Sequence, residues 1–313
     1  MNWDAIDWVA LERLRAGFIA GNAGAADYWR SESDLVSYDL TFAQRIGWKW
    51  DFVFRELQQR GWQPPAGPLL DWGCGSGIAG RAFLQYFPGH AVQLWDRSAL
   101  AMRFAASRLG GTAGTGQQPC PTLLLSHVLT ELSDAQAAAL LELCRAATVI
   151  LWVEPGTFTA SRRLVAMREQ LRDEYQIIAP CPHRQMCGML AAANARHWCH
   201  FFAPSPPDIF RDSHWARFAK IAGVDLRSLP VSYLVLDKRP QPELPAGTVR
   251  VIGPVRFRKG YALVTGCDAG GVRECRLTKR VLPEQFNQFR KDQAGTLQIW
   301  QRTGNEIVES QSG

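Results

Sequence analysis

The sequence of 313 residues lacks any apolar run as long as the roughly 18 residues that a membrane-spanning helix needs. It also lacks internal repeats and low-complexity tracts. The first residues include Asp4, Asp7 and Glu12 before much basic charge appears, which is atypical of a signal or transit peptide. We therefore predict no membrane anchor and expect a soluble, cytoplasmic protein.

Closely spaced cysteine pairs are absent as well, although the chain contains 8 cysteines. There is no C-x2-C pair typical of a zinc knuckle and no C-x3-C-x2-C triplet typical of radical enzymes. Without an export signal, free thiols or metal ligands are more plausible than disulfides, because the cytosol keeps thiols reduced.

Three of the cysteines, Cys181, Cys187 and Cys199, nevertheless fall in one short stretch without regular periodicity. Their spacing is too long for a zinc knuckle and suits an iron–sulfur cluster, whose ligands are more widely separated. Buried free cysteines are the alternative interpretation. A fourth ligand must come from elsewhere, and the candidates are Cys267, Cys275, His183 and His200.

Basic charge is scarce outside one region of the chain. Residues 250–291 hold 10 Lys and Arg against 3 Asp and Glu, while the rest of the chain holds 25 against 26. A local excess of this kind is typical of a surface that contacts nucleic-acid phosphates, although a solvated face can look the same. The leading candidates for RNA contact are Arg256, Arg258, Lys259, Lys279 and Arg280.

The apolar residues indicate an α/β protein. Helical spacing dominates residues 1–60, after which strands and helices alternate through residues 61–176 in the way that predicts a parallel sheet with crossover helices. Residues 177–230 carry the three cysteines, and residues 231–313 show short alternating runs that predict antiparallel strands. We therefore predict a helical N-terminal region, a Rossmann-like core, a cysteine-rich segment and a small basic β region, in that order.

A glycine loop, DWGCGSG, follows the first predicted strand of the core. Its glycines, Gly73, Gly75 and Gly77, stand at alternate positions after Asp71, whereas a nicotinamide-binding loop reads G-x-G-x-x-G. An acidic residue beside the loop suits S-adenosylmethionine, a ligand without phosphates. Asp96 ends the second predicted strand, where a carboxylate can accept hydrogen bonds from the two ribose hydroxyls. The sequence thus predicts S-adenosylmethionine binding; a fold that has lost its ligand is the alternative.

The segment after the predicted strand 122–125 reads SHVLTEL and contains His127 and Glu131. The segment [DN]-P-P-[YF] of amino methyltransferases acting on bases is missing here, and no cysteine follows the strand to attack a pyrimidine. We therefore interpret His127 as a packing residue or a cofactor contact in preference to a catalytic group, and the catalytic residues stay unknown.

Seven segments in order, LLDWGCGSG, SHVLTEL, VEPGT, IIAPCPH, HWCHF, SYLVLDKR and RKGYALVTGC, make the chain resemble the methyltransferase-like assembly proteins of the bacterial and mitochondrial small ribosomal subunit. The resemblance covers nearly the whole chain. It implies an S-adenosylmethionine-dependent methyltransferase fold, a [4Fe-4S] cluster on Cys181, Cys187, Cys199 and Cys267, and a role in small-subunit maturation on ribosomal RNA. Gly188 departs from the family, which usually has Pro after the second cysteine, and FFAPSPPDIF replaces a more basic stretch.

Three functions are compatible with these features. The first is an iron–sulfur-containing assembly factor that binds the cofactor, the second an active ribosomal RNA methyltransferase, and the third a small-molecule methyltransferase with a structural metal, for which zinc is the alternative ion. The basic region and the cysteines favour a large anionic partner and hence the first function. We expect the protein to be monomeric away from the ribosome.

Overall fold

The fold is described from a computed structural model, and the structure describes residues 2–19 and 28–312. Within these residues no helix is long and apolar enough to cross a membrane. The helices are α1 Trp8–Ile19, α2 Glu32–Asp39, α3 Phe42–Gln59, α4 Ile78–Tyr86, α5 Ala99–Leu109, α6 Asp134–Ala146, α7 Phe158–Leu171, α8 Ser213–Ala222 and α9 Pro283–Arg290.

A first sheet forms the centre of the molecule. Its strands are β1 Leu69–Trp72, β2 Val92–Trp95, β3 Thr112–Ala113, β4 Thr122–Ser126, β5 Val149–Pro155, β6 Gln176–Ala179, β7 Phe201–Phe202 and β8 Pro230–Asp237. They lie in the order β3-β2-β1-β4-β5-β8-β6, with β7 paired to β8. The five neighbouring strands β3, β2, β1, β4 and β5 are parallel to one another. Strand β8 lies between β5 and β6 and is antiparallel to both.

The local sequence explains these elements. Strands β4 and β5 are almost wholly apolar because both faces of the sheet are covered by helices. One core joins the sheet to α3 and α4, and a second core joins the other face to α6 and α7. Helix α6 begins with a capping box between Ser133 and Gln136, and α5 ends at Gly110 in the left-handed conformation. The predicted Rossmann-like α/β methyltransferase fold is therefore confirmed, together with its helical N-terminal region.

The order of the strands changes direction beside β1, since β2 lies on one side of it and β4 on the other. Loops that leave the carboxyl ends of β1 and β4 consequently diverge and open a crevice, which is the usual ligand site of open α/β sheets. The glycine loop after β1 and His127 after β4 both lie at this crevice.

A second sheet forms the C-terminal part of the chain. Its strands are β9 Thr248–Val251, β10 Arg256–Arg258, β11 Tyr261–Asp268, β12 Gly271–Thr278, β13 Leu297–Thr303 and β14 Glu306–Ser312. The neighbours β11, β12, β14, β13 and β9 close into a ring, because β9 pairs with both β13 and β11. Strands β12 and β14 of this ring pair in parallel. The C-terminal β region, which the sequence predicts to be antiparallel, therefore contains one parallel pair.

This ring has the connectivity of an OB-fold, a small barrel of five strands. The five strands of the ring, in chain order, are β9, β11, β12, β13 and β14. As in an OB-fold, the third of them (β12) pairs with the fifth (β14), and helix α9 lies in the chain between the third (β12) and the fourth (β13). The apolar interior contains Val249, Val264, Cys275, Leu277 and Trp300. We refer to residues 248–312 below as the C-terminal barrel.

Strand β8 lies in the first sheet, although the sequence pattern groups residues 231–313 as one β region. The core and the barrel are joined through Arg250 at the end of β9, which is only 2% exposed. Its guanidinium donates hydrogen bonds to Glu56 Oε1 at 2.5 Å and to the Pro180 carbonyl at 2.7 Å. Arg250, the first basic residue of the charged region 250–291, therefore belongs to a buried ion pair and not to the surface.

Candidate functional site

A cavity of about 1200 Å³ opens at the carboxyl ends of β1, β2 and β4. The glycine loop, Asp96 and the segment after β4 line one side of it, while side chains of α2 and α3 line the other. Tyr38 and Lys49 belong to this second side. The helical N-terminal region thus covers the crevice of the sheet, and the cavity is large enough for a nucleoside together with a second reactant.

The glycine loop turns sharply at the mouth of β1. Gly73, Gly75 and Gly77 have φ values of +72°, +50° and +77°, which favour glycine. A Cβ atom on Gly73 would lie 2.7 Å from the Val128 side chain, and one on Gly77 would lie 2.7 Å from Leu109. The loop therefore needs glycine both for its backbone conformation and for its close packing, and its backbone approaches the cavity without side chains in between.

Asp96 bridges the glycine loop and the start of α5. Its Oδ2 accepts a hydrogen bond from the Gly75 amide at 2.9 Å, and its Oδ1 accepts one from the Ser98 amide at 2.9 Å. The carboxylate lines the cavity, as its predicted contact with ribose hydroxyls requires. Beside it, Trp72 and Trp95 stack with ring centroids 4.5 Å apart and line the same wall. A flat aromatic wall of this kind suits an adenine ring.

Asp71 and Gly77 lie behind the loop and outside the lining of this cavity. The carboxylate of Asp71 is fully buried, and its Oδ2 accepts a hydrogen bond from the Gly80 amide at 2.9 Å. Burial raises the pKa of Asp71 to about 7. In this geometry Asp71 holds the start of α4 against β1, and its predicted role beside S-adenosylmethionine stays a prediction.

His127 lies in the turn after β4 with a φ of +58°, an unusual conformation for a residue other than glycine. Its amide donates to the Val153 carbonyl at 2.8 Å, and its Nε2 is 3.3 Å from Nζ of Lys49. Both side chains line the cavity. Burial and the neighbouring Lys49 hold the pKa of His127 well below its usual value, so the imidazole is neutral.

Glu154, at the end of β5, holds the same turn from behind. Its Oε1 accepts hydrogen bonds from the amides of Val128 and Leu129, at 3.1 and 3.0 Å, and from the Trp152 indole at 2.9 Å. Burial raises the pKa of Glu154 to about 7. The sequence predictions include neither Lys49 nor Glu154. A charged residue on the apolar face of a helix, as Lys49 is on α3, is the sequence feature that could have identified this part of the site.

Glu131 stands at the edge of the cavity, one turn after His127. Its pKa is raised to about 7 by burial, and the Tyr28 hydroxyl lies 3.5 Å from its Oε1. Arg97 is 3.8 Å from the other carboxylate oxygen. Through Tyr28, which precedes α2, this group connects the N-terminal region to the segment after β4.

The predicted metal ligands come together at the junction between the core and the C-terminal barrel. Cys181, Cys187 and Cys199 line a small cavity of about 30 Å³, and Cys267 reaches the same core from β11. Burial and the negative charges of the three other thiolates all raise the pKa of Cys199, which reflects how close the four groups are. Burial likewise raises the pKa of Cys187 to about 11.

Two arginines face these thiols. Against the opposing effect of burial, negative charge on Cys181 and Cys187 raises the pKa of Arg168. The pKa of Arg250 is raised mainly by its ion-pair partner Glu56, with a smaller contribution from Cys181. Arg168 also donates to the carbonyls of His183 and Gln185, at 3.0 and 2.9 Å, and so ties the cysteine-bearing segment to α7. Buried positive charge beside four thiols suits an anionic metal–thiolate group.

Among residues 2–19 and 28–312, no three His, Cys, Asp or Glu side chains form a group that could hold a metal ion. The four cysteines are therefore near one another without forming a metal site in this structure, and the predicted cluster stays a prediction.

The three other candidates for the fourth ligand, Cys275, His200 and His183, differ in their surroundings. Cys275 is fully buried inside the barrel, on the strand face opposite to that of Cys267, with the Arg302 guanidinium 3.8 Å from its sulfur. His200 stacks on Trp198, with ring centroids 4.9 Å apart. His183 is near the cysteines, since its Nε2 is 3.6 Å from the Cys267 sulfur.

Gly188, the departure from the family pattern, packs against the turn between β11 and β12. A Cβ atom at this position would lie 2.7 Å from the Val272 amide nitrogen and 3.0 Å from Gly271 Cα. The contact brings the backbone after Cys187 onto the barrel. A residue with a side chain would push the cysteine-bearing segment away from β12 in this chain.

The five basic residues predicted to contact RNA lie together at one end of the barrel. Arg256 and Arg258 are exposed on β10, Lys259 follows in the turn to β11, and Lys279 and Arg280 follow β12. The two turns adjoin, since the Lys279 amide donates to the Gly260 carbonyl at 2.9 Å. Arg256 is partly neutralised by an ion pair with Glu274.

On the same barrel face, the Arg276 guanidinium lies 4.2 Å from the ring centroid of Tyr261. Cross-strand partners share one face, and Arg258 pairs with Tyr261, which in turn pairs with Thr278. In OB-folds the face of the second and third strands binds oligonucleotides. Here that face carries an aromatic ring amid exposed arginines and lysines.

A sequence model of the family described as mitochondrial small ribosomal subunit Rsm22 matches residues 70–298. No curated protein sequence matches the chain.

Among solved structures, the magnesium protoporphyrin IX methyltransferase of Synechocystis PCC 6803 is 12% identical over 74% of this chain and 100% of its own, with a TM-score of 0.39. A SAM-dependent methyltransferase of Archaeoglobus fulgidus is 12% identical over 60% of this chain and 94% of its own, with a TM-score of 0.35. The plantazolicin methyltransferase BamL is 12% identical over 73% of this chain and 98% of its own, with a TM-score of 0.40.

Proposed function

The chain belongs to the Rsm22 family of mitochondrial small ribosomal subunit proteins, and from this membership we propose that it is an assembly factor of the small ribosomal subunit. In this proposal the protein binds S-adenosylmethionine in the crevice, holds a [4Fe-4S] cluster between core and barrel, and contacts ribosomal RNA through the barrel. The observation that carries the proposal is that one family match, over residues 70–298, includes the glycine loop, all four cysteines and the basic barrel face.

The proposal for S-adenosylmethionine is supported by the geometry of the crevice. Asp96 lines the cavity beside the glycine loop, and the stacked pair of Trp72 and Trp95 offers a wall for adenine. A carboxylate at the end of the second strand is the usual acceptor for ribose hydroxyls. Gly73 and Gly75 leave the backbone open to the methionine part of the ligand.

The proposal for the cluster is supported by the chemistry of its surroundings. Cys181, Cys187, Cys199 and Cys267 would each bind one iron, and thiolate bonds to iron would replace the hydrophobic packing that the irregular segment lacks. The buried arginines Arg168 and Arg250 would compensate the negative charge of the ligated group. Since three ligands come from the core side and one from β11, the cluster would fix the barrel to the core.

The proposal for ribosomal RNA is supported by the position of Arg256, Arg258, Lys259, Lys279 and Arg280 on the oligonucleotide-binding side of an OB-type barrel. Lysine and arginine side chains would contact phosphates, and the ring of Tyr261 would stack on an unpaired base. The face combines positive charge with an aromatic ring on which an unpaired base could stack, so it suits single-stranded segments of RNA better than a duplex.

Two other functions compete with this one. An active ribosomal RNA methyltransferase would use the same crevice and the same RNA face. A small-molecule methyltransferase with a structural metal would need neither the basic face nor the family's small-subunit association. The expected cytoplasmic location and monomeric state stay proposals.

The assembly function is tested by sedimentation. The tagged protein is expressed in cells that lack the endogenous chain, and its position in a sucrose gradient is compared with that of precursor and mature small subunits. We expect it to co-sediment with precursor small subunits and to be absent from translating ribosomes. Protein that stays at the top of the gradient, with normal small-subunit levels in the deleted cells, would exclude the assembly role.

A further inference from the structure

Lys49 and His127 form a contact in the cavity that neither cofactor binding nor RNA binding explains. Nζ of Lys49 lies 3.3 Å from Nε2 of His127, and Lys49 is only 7% exposed. Both side chains line the same cavity as Asp96 and the glycine loop. Within the part of the chain that the structure describes, this buried lysine has no carboxylate at salt-bridge distance, and such a lysine is costly to maintain, which points to a chemical use.

The position of Lys49 is imposed by helix α3. Ile46, Trp50 and Val53 lie on the buried face of this helix, and Lys49 lies among them. The groups that face its ammonium are Arg45 on the same helix, His127 after β4 and Glu154 on β5, with Asp225 beyond Arg45. Burial, assisted by the positive charge of Arg45 and opposed by Glu154, lowers the pKa of Lys49 to about 7. A substantial fraction of Lys49 is therefore an uncharged amine near neutral pH.

The turn that carries His127 is held rigidly. The His127 amide donates a hydrogen bond to the Val153 carbonyl, which fixes the left-handed conformation of His127. The neighbouring Ser126 hydroxyl accepts a hydrogen bond of 3.0 Å from the Trp50 indole. Non-glycine residues in this region of conformational space store strain and concentrate at functional sites. Lys49 and His127 are thus two basic side chains held in contact.

We propose that Lys49, with His127 as its proton-sharing partner, is the proton acceptor for methyl transfer to an N–H or O–H nucleophile of RNA in this cavity. This inference rests on the proposed function, because the methyl donor is S-adenosylmethionine. A bond forms between the nucleophilic atom and the methyl carbon while the carbon–sulfur bond breaks, and its electron pair stays on sulfur. The proton lost by the nucleophile passes to Nζ of Lys49 and then to solvent.

The absence of a [DN]-P-P-[YF] segment is consistent with this arrangement. In amino methyltransferases that segment receives the target amine through a side-chain oxygen and a carbonyl. In this chain the turn after β4 presents His127 at the corresponding place, and α3 supplies the second base from the opposite side of the cavity. The covering helices are then part of the active site and not only a lid.

The first test needs no methyl transfer. Trace acylation of the intact protein, without cofactor, at pH values from 6 to 11 reports the unprotonated fraction of each lysine by peptide mass spectrometry. We expect a midpoint near pH 7 for Lys49, against about 10.4 for a free lysine peptide acylated in the same tube. The same midpoint for Lys49 and the free peptide would overturn the inference, because Lys49 would then be a permanent cation.

The second test measures methyl incorporation from radiolabelled S-adenosylmethionine into precursor small subunits purified from cells that lack the chain. Lys49→Met should lower the single-turnover rate about 100-fold or more, as loss of a general base does, while calorimetric affinity for S-adenosylhomocysteine changes less than about 3-fold. Lys220→Met is the matched control and should retain the wild-type rate. Nucleoside mass spectrometry distinguishes a methylated base amine from a methylated ribose hydroxyl.

Wild-type transfer should also fall as the pH drops below about 7, because Lys49 becomes protonated, and His127→Gln should move this midpoint. A wild-type protein that binds cofactor and precursor subunits but transfers no methyl group would overturn the inference and leave the assembly function standing. A wild-type protein that binds neither ligand would overturn the proposed function itself. An undiminished rate in Lys49→Met would remove Lys49 from the chemistry.

Discussion

At the scale of single residues, the cavity distinguishes acidic groups that the sequence presents as equivalent. Asp71 and Asp96 both end a strand, yet Asp71 is buried behind the glycine loop and Asp96 lines the cavity. Each accepts a hydrogen bond from a backbone amide. The surroundings of the two carboxylates therefore differ: Asp71 contacts the start of α4, whereas Asp96 is open to the ligand that we propose the cavity binds.

Replacement of Asp96 by alanine should weaken binding of S-adenosylmethionine by about 1 to 3 kcal/mol, because charge-assisted hydrogen bonds to the ribose are lost. Isothermal titration calorimetry measures this change. Asp208→Ala, which removes an exposed carboxylate far from the cavity, is the matched control and should leave the affinity unchanged. Equal affinities of Asp96→Ala and wild type would remove Asp96 from the binding site.

Asp71→Asn should make stability less sensitive to pH. Burial raises the pKa of Asp71 to about 7 in the folded protein, against about 3.9 when unfolded, so the folded state holds a proton that the unfolded state releases. The stability that this proton contributes is fully present below pH 4 and is lost as the pH rises to about 7.

Asparagine can still accept the hydrogen bond from Gly80 and cannot ionise. Between pH 5 and pH 8 we therefore expect the variant to gain roughly 2 to 3 kcal/mol relative to wild type, as measured by urea unfolding without cofactor. Parallel curves for the two proteins over this range would show that Asp71 is already ionised in the fold.

At the scale of elements, the sequence predicts the strands and helices of the core to within a few residues. The alternation of apolar runs with glycine and capping residues is local information, and β1, β2, β4 and β5 follow from it directly. The order of the barrel strands cannot be derived from local sequence. The ring closes through the pairing of Gly266 on β11 with Val251 on β9, and β10 lies between these two strands in the chain. The same holds for the site: the glycine loop and Asp96 are contiguous signals, whereas Lys49 reaches His127 only through the packing of α3.

The two cysteines of the barrel hairpin provide a test of the cluster at this scale. Val264 and Cys275 face the barrel interior, and Cys267, three residues after Val264, faces the core. Cys267→Ala should abolish most of the iron bound by anaerobically purified protein, while Cys275→Ala should retain it. Inductively coupled plasma mass spectrometry and the visible absorption of the sample report the outcome.

Stoichiometric zinc without iron in the wild-type protein would contradict the cluster. Retention of iron in Cys267→Ala with loss in Cys275→Ala would move the fourth ligand into the barrel, which the strand geometry opposes. Cys275→Ala is expected to lower stability by about 1 kcal/mol or more, since a fully buried side chain is truncated.

Replacement of Arg258, Lys259 and Lys279 by glutamine should flatten the salt dependence of RNA binding. Each lost contact with a phosphate of single-stranded RNA lowers the slope of log affinity against log salt by about 0.7, so the triple variant should lose about 2. Fluorescence anisotropy with a single-stranded fragment of small-subunit ribosomal RNA measures the slope.

A control variant with the same change in net charge replaces Arg211, Lys220 and Arg227, which are exposed outside the barrel. This control should keep the wild-type slope. If both triple variants lose the same amount, the barrel face contributes only general charge and is not the binding surface.

At the scale of the whole molecule, the cysteines and Arg250 join the two halves of the chain. The ion pair of Arg250 with Glu56 connects the barrel to the core, and the cluster that we propose would lie beside this ion pair. Loss of the cluster would therefore weaken the connection between the face that we propose contacts RNA and the crevice that we propose binds the cofactor. This connection gives a physical reason for a cluster in a protein whose proposed role involves no redox chemistry.

The most direct test of the whole account is anaerobic affinity purification of the tagged protein from cells that lack the endogenous chain. Iron, S-adenosylmethionine and ribosomal RNA are quantified in the same sample. The account predicts about four irons per chain by the stoichiometry of the cluster, bound S-adenosylmethionine or its demethylated product, and RNA enriched in small-subunit sequences. A sample with stoichiometric zinc, or with no more small-subunit RNA than a tag-only purification, would contradict it.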